Sequence, residues 1–68
     1  MTTLGQRIKQ LRKENNLSQE ALAYLLHVER TTITGYETKD RIPDITILIR
    51  MAEIFNVSLD ELVGRYEK

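Results

Sequence analysis

Apolar residues recur along the chain at spacings of three and four, and no stretch alternates with the period of two that marks a half-buried strand. In TLGQRIKQLRKENN, Thr3 stands as an N-cap with Gln6 three residues on, the spacing of a capping box. Leu4, Ile8 and Leu11 then share one face, and Asn15-Asn16 closes the segment. Ser18 caps QEALAYLL, with Leu17 and Leu22 at the two ends of a hydrophobic staple. The stretch VERTTITGYE carries Ile33 and Tyr36 as its inward pair. TKDRIPD reads as a loop, because Pro43 cannot continue a helix interior. Asp44 caps ITILIRMAEIFN, where Ile45, Leu48, Ala52 and Phe55 predict the buried stripe. Ser58 and Glu61 repeat the capping-box spacing, flanked by a Val57–Leu62 staple. The pattern predicts an all-α, compact five-helix domain over residues 1–68, with no linker, internal repeat or low-complexity stretch.

Two of these helices meet across residues 25–28, with small Ala23 where the backbones must approach. Leu22, Leu26, Val28, Ile33 and Tyr36 supply the wedge of core between them. This is helix-turn-helix spacing, over about residues 18–37, and the second helix of such a pair fits a major groove about 12 Å wide. Any small helical bundle can show the same periodicity, so a bundle with no nucleic-acid role stays open at this point.

Composition narrows the classes. Sixty-eight residues make one small domain with a thin core. The absence of cysteine excludes disulfides and thiolate metal sites and fits a reducing cytoplasm. The longest apolar runs, such as Ile47-Leu48-Ile49, are far below membrane-spanning length, and MTTLGQRIKQ lacks the apolar core of a signal peptide. These features predict a soluble cytoplasmic protein, or a piece of one, without membrane contact. One histidine, no Ser/His/Asp set, no paired-carboxylate cleft and no glycine-rich phosphate loop argue against an enzyme, a metal, a cofactor or a small-molecule ligand. Net charge is zero, which works against nucleic acid binding. Residues 1–50, however, hold eight Lys or Arg against six acids, while residues 51–68 hold two against four.

The residues LGQRIKQLRKENNLSQEALA, then V-x-R-T-T-I-T-x-Y-E, then RIPDITILIRMAEIFNVSLDEL together resemble the phage repressor/Cro-like (XRE-type) helix-turn-helix family. Arg12, Ser18-Gln19, Ala23, Ile33, Glu37, Pro43 and Val57-Ser58 carry the likeness, which runs from about Leu4 to Leu62. The resemblance implies a lambda-repressor-like fold and a sequence-specific regulator of transcription, a repressor, that binds double-stranded DNA. It also implies a homodimer on an inverted-repeat operator, and a structural ion pair between Arg12 and Glu37. A protein-binding module that has lost DNA affinity, antitoxin-like or scaffolding, is the alternative that neutral charge and Glu29 favour.

By the same resemblance the base-contact positions are Glu29, Arg30, Thr31 and Gly35, with Thr34 beside them. Arg30 can grip guanine O6 and N7 together or hold a phosphate. Glu29 replaces the small hydroxyl residue usual there; it can serve the positive end of the helix dipole, accept from a cytosine amino group, or repel phosphates and exclude wrong sites. Gly35 gives up a side chain where relatives often carry a long polar one, allowing closer approach or leaving a base pair unread. His27 replaces a turn glycine, and histidine is among the residues that tolerate a left-handed backbone. Gln19 matches the family's phosphate-clamping glutamine; Lys39 and Arg41 are the cationic phosphate contacts, with Thr38 and Thr46 as further ones. Arg7, Lys9 and Lys13 read as a solvated face.

The third helix is a poor one. Thr31, Thr32, Ile33, Thr34 and Gly35 together lose roughly 3 kcal/mol against an alanine helix, so packing must hold it and the threonines read as a face presented to a partner. At the other end, Ile47, Ile49, Ile54, Leu59, Val63 and Tyr66 exceed what two short helices can turn inward. A surplus of this kind predicts a partner surface within residues 44–66, and Ile54, Leu59 and Val63 are assigned to the dimer contact.

Overall fold

The structure is a computed structural model that describes residues 3–64. Five helices make up the regular structure of those residues: α1 (Leu4–Glu14), α2 (Gln19–Leu26), α3 (Arg30–Thr38), α4 (Ile45–Phe55) and α5 (Leu59–Val63). Local chemistry sets their ends. Thr3 and Gln6 close a reciprocal capping box at α1, and Ser58 and Glu61 close another at α5. Ser18 and Asp44 accept from the third backbone N–H of α2 and α4. Each bond satisfies one of the donors that a helix start leaves open. Tyr66 lies outside the described residues, and α5 closes on Gly64 with φ 78°.

Among the described residues, four non-glycine ones take the left-handed conformation: Asn16, His27, Asp40 and Asn56, at φ 58°, 60°, 57° and 58°. They belong to the three residue types that tolerate it best. His27 ends α2 in this way, so the turn keeps the left-handed backbone of the glycine that the resemblance places there.

One core joins all five helices. Ile8 comes from α1, Leu22 and Leu26 from α2, Ile33 from α3, Met51 from α4 and Leu62 from α5; all are fully buried. Helices α1 and α2 both pack on α3, while α5 bridges α4 and α1. Two sequence expectations fail here. Ile45 is 58% exposed, and Met51 takes its place in the stripe beside Leu48, Ala52 and Phe55. At about 100° per residue, Ile45 falls near the edge of the stripe that those four define. Arg7 is not part of a solvated face either: its Nε donates to the Glu61 carbonyl at 3.0 Å and ties α1 to α5, whereas Lys9 and Lys13 are exposed.

Of the apolar surplus in the last third, Ile47, Ile54 and Leu59 are half-buried against the core and Val63 is half-buried. Exposed apolar surface at this end belongs to Ile42, Ile45 and Ile49. Gly5 marks a close crossing of α1 over the end of α3. A Cβ added there would press on the Tyr36 carbonyl oxygen and lie 2.8 Å from that of Glu37, both of them backbone atoms. Gly5→Ala is expected to destabilise the domain by about 1–3 kcal/mol, the usual range for overpacking. Urea unfolding followed by circular dichroism measures it, and an unchanged midpoint would contradict the close crossing.

Candidate nucleic-acid interface

Arg12 lies on α1 and Glu37 in the last turn of α3, 25 positions apart, and both are buried. The Arg12 Nε donates to Glu37 Oε2 at 2.7 Å and Nη2 donates to Oε1 at 3.2 Å, a two-pronged pair. Nη1 donates to the Leu17 carbonyl at 2.8 Å, fixing the α1–α2 connection as well. Removing two charges from water is costly, and geometry of this kind with extra hydrogen bonds is what offsets it. Glu37 Oε1 also accepts from Gln19 Nε2 at 3.0 Å, and Gln19 Oε1 accepts from the Thr34 hydroxyl at 3.1 Å. No buried side-chain polar atom among the described residues lacks a partner. The network therefore runs from α1 through the α3 end and the α2 start to the outer face of α3.

That face is built on a weak helix start. Glu29 occupies the N-cap of α3 with extended backbone and makes no side-chain cap bond. Beyond it, Arg30, Thr31, Thr34, Gly35, Lys39 and Arg41 line one depression together with Thr32. The fold thus gathers Arg30, Thr31, Thr34 and Gly35 from the base-contact set and Lys39 and Arg41 from the phosphate set. Three of the seven lining residues are cations and none is an acid. Glu29 stands at the helix start outside this lining, and Thr46 is exposed in the first turn of α4. Thr38 is exposed and its hydroxyl donates back to the Thr34 carbonyl at 2.8 Å. Gln19 is half-buried with its amide in the network, and one hydrogen of its Nε2 is not engaged there. Gly35 is buried rather than open, since the Arg41 side chain lies across it. Thr32 joins the lining although only its residue type, shared with the neighbouring threonines, pointed to it.

A family model described as helix-turn-helix matches residues 8–62. The chain belongs to the helix-turn-helix family. AnsR, an HTH-type transcriptional regulator of Bacillus subtilis, is 39% identical over 59 residues, covering 87% of this chain and 51% of AnsR. This helix-turn-helix chain thus spans about half the length of that relative. A transcriptional regulator from Listeria innocua superposes with a TM-score of 0.87 at 36% identity, over 97% of this chain and 62% of the other. The P22 c2 repressor, solved in complex with a synthetic operator, superposes with a TM-score of 0.86 at 25% identity, over 96% of this chain and 98% of the repressor. The phage-repressor resemblance carried by Arg12, Ser18-Gln19, Ala23, Ile33, Glu37 and Pro43 agrees with that likeness.

Two consequences for this helix-turn-helix domain are measurable. Arg12→Met leaves Glu37 buried without its partner, and a loss of about 3–5 kcal/mol is expected. Arg12→Met with Glu37→Leu should recover most of that loss in urea unfolding, because no orphan charge remains. The second concerns Tyr36, whose hydroxyl is raised above the ordinary tyrosine range by burial and then by Asp44, with Arg41 opposing. A folded pKa above the unfolded one contributes stability that is complete below about pH 10 and is lost as pH rises through the folded value. Wild-type stability is therefore expected to fall more steeply than that of Tyr36→Phe above about pH 10. Parallel slopes in alkaline unfolding series would contradict this.

Proposed function

We propose that this protein is a sequence-specific regulator of transcription, a repressor, that seats α3 in the major groove of double-stranded DNA. The carrying observation is the depression on α3: three cations and no acid, in a chain of zero net charge, on a helix anchored from beneath by Arg12, Glu37 and Gln19. Membership of the helix-turn-helix family and the likeness to a repressor solved on its operator support the same reading.

In this reading Arg30 grips guanine through O6 and N7, and Thr31 and Thr34 meet thymine methyls or base edges. Gly35 leaves room on α3 for the Arg41 side chain that crosses it, and Glu29 serves the positive end of the helix dipole, accepts from a cytosine amino group or excludes wrong sites by repelling phosphate. Gln19, Lys39, Arg41, Thr38 and Thr46 position the domain on the backbone. A homodimer on an inverted repeat, with recognition helices about 34 Å apart, completes the arrangement. Ile54, Leu59 and Val63 are assigned to its contact; Leu59 shares a groove between α4 and α5 with exposed Ile49, which supports a partner surface there. The protein acts in the cytoplasm, at the nucleoid.

Selection from a random duplex pool, sequenced at two salt concentrations, tests the proposal. An enriched inverted repeat with half-sites one helical turn apart is expected, with a log-affinity slope near −0.9 per neutralised phosphate. Arg30→Ala should relax one guanine in each half-site at a cost of about 1–3 kcal/mol. Weak binding without a motif at low salt would overturn the reading and leave the α4–α5 face, and a protein partner, as the alternative.

A further inference from the structure

Arg41 belongs by sequence to the loop after α3, yet the structure lays it on the helix. Its backbone N–H donates to the Gly35 carbonyl at 3.3 Å. Its side chain then passes over Gly35 so closely that a Cβ on residue 35 would sit 3.0 Å from Cδ, 3.5 Å from Nε and 3.6 Å from Cγ. Position 35 is one helical turn beyond Thr31 and four residues on, so the two share a face. Arg41 also lines the depression that holds Arg30, Thr31 and Thr34. The guanidinium makes no hydrogen bond or ion pair to any described residue, unlike Arg12, whose donors are taken up by Glu37 and Leu17.

We propose that Gly35 and Arg41 form one composite base-reading position. Glycine removes the side chain that α3 would otherwise present there, and Arg41 occupies the gap with a stem held against the helix. Its guanidinium is then carried on the reading face itself, where a phosphate contact would need it at the rim. A planar fork with its donors unengaged suits guanine O6 and N7, so the base read is a guanine. The proposal rests on α3 reading DNA. It moves Arg41 from backbone positioning to sequence recognition and gives Gly35 a reason to be in a helix interior.

The test repeats duplex selection with wild type, Arg41→Ala, Arg41→Lys, Gly35→Ala and the double variant Gly35→Ala/Arg41→Ala. Arg41 is exposed and Gly35→Ala displaces only a flexible side chain, so all four variants are expected to fold, with melting temperature as the control. Arg41→Ala is expected to lose about ten-fold or more of the guanine preference at one position per half-site, with the rest of the motif intact. Arg41→Lys should keep most of the affinity and salt slope but less of that preference. Gly35→Ala should weaken the same position, and in the Arg41→Ala background it should change nothing there. Three results would overturn the proposal. One is a uniform loss of affinity in Arg41→Ala, with a salt slope reduced by about one and an unaltered motif, which marks a phosphate contact. The second is a Gly35→Ala effect that persists without Arg41. The third is a wild type that selects no motif, which removes the DNA-reading role of α3 as well; the first two leave that role standing.

Discussion

The paired charges of Arg12 and Glu37 hold the one helix that cannot hold itself. Helix α3 begins without a side-chain cap and runs through four threonines and a glycine, all of them weak helix formers. Ile33 and Tyr36 bury its inner side, but apolar contacts alone tolerate rotation about the helix axis. The two-pronged bond to Arg12 does not, because the fork and the carboxylate must stay nearly coplanar for both hydrogen bonds to persist. An apolar pair of similar volume could match such a pair in stability. What it lacks is direction. The orientation is passed on through Glu37 Oε1 to Gln19 and from Gln19 to Thr34, which puts the start of α2 and the outer face of α3 in one fixed relation.

The same arrangement explains how an electrically neutral chain carries a positive face. Glu37 lies inside, Asp44 and Glu61 serve helix starts, and Glu14 accepts from Gln10 on the outer side of α1. Among the cations, Arg12 is buried and Arg7 reaches a carbonyl of α5. Arg30, Lys39 and Arg41 remain together on a surface that no acid lines. Net charge averages over groups whose fields are already used locally, so it says little about the potential at a particular groove.

Features that depend on near neighbours were legible in the sequence. The capping boxes of Thr3–Gln6 and Ser58–Glu61 and the caps at Ser18 and Asp44 each follow from a few consecutive residues. Ile8, Leu22, Ile33 and Leu62 followed from periodicity. Features that join distant segments left no such trace. The Arg7 bond to Glu61 ends on a backbone carbonyl, which any residue supplies. Gly5 is required by the carbonyls of residues 36 and 37, more than thirty positions away. The exchange of Ile45 for Met51 shows the resolution of a helical stripe, since residues near its edge are sorted by the neighbouring helix rather than by their own spacing. The Arg12–Glu37 bond also spans distant segments, and family resemblance rather than local chemistry made it readable.

Thr34 shows how internal order limits what the outer face can offer. Its hydroxyl has one proton and two acceptors within reach, Gln19 Oε1 at 3.1 Å and the Arg30 carbonyl at 3.3 Å. Either choice keeps the proton inside the protein. For a ligand Thr34 then retains a methyl group and the lone pairs of its oxygen, so it can pack against an apolar group or accept, but donating would break the chain that orients α3. Arg30 and Arg41 carry no such obligation. Charged donation at this surface therefore falls to Arg30, Lys39 and Arg41, and Thr34 supplies shape and an acceptor. A helix assembled from poor helix formers is the natural result, since the residues that fit a partner are small or branched and the residues that orient them lie underneath.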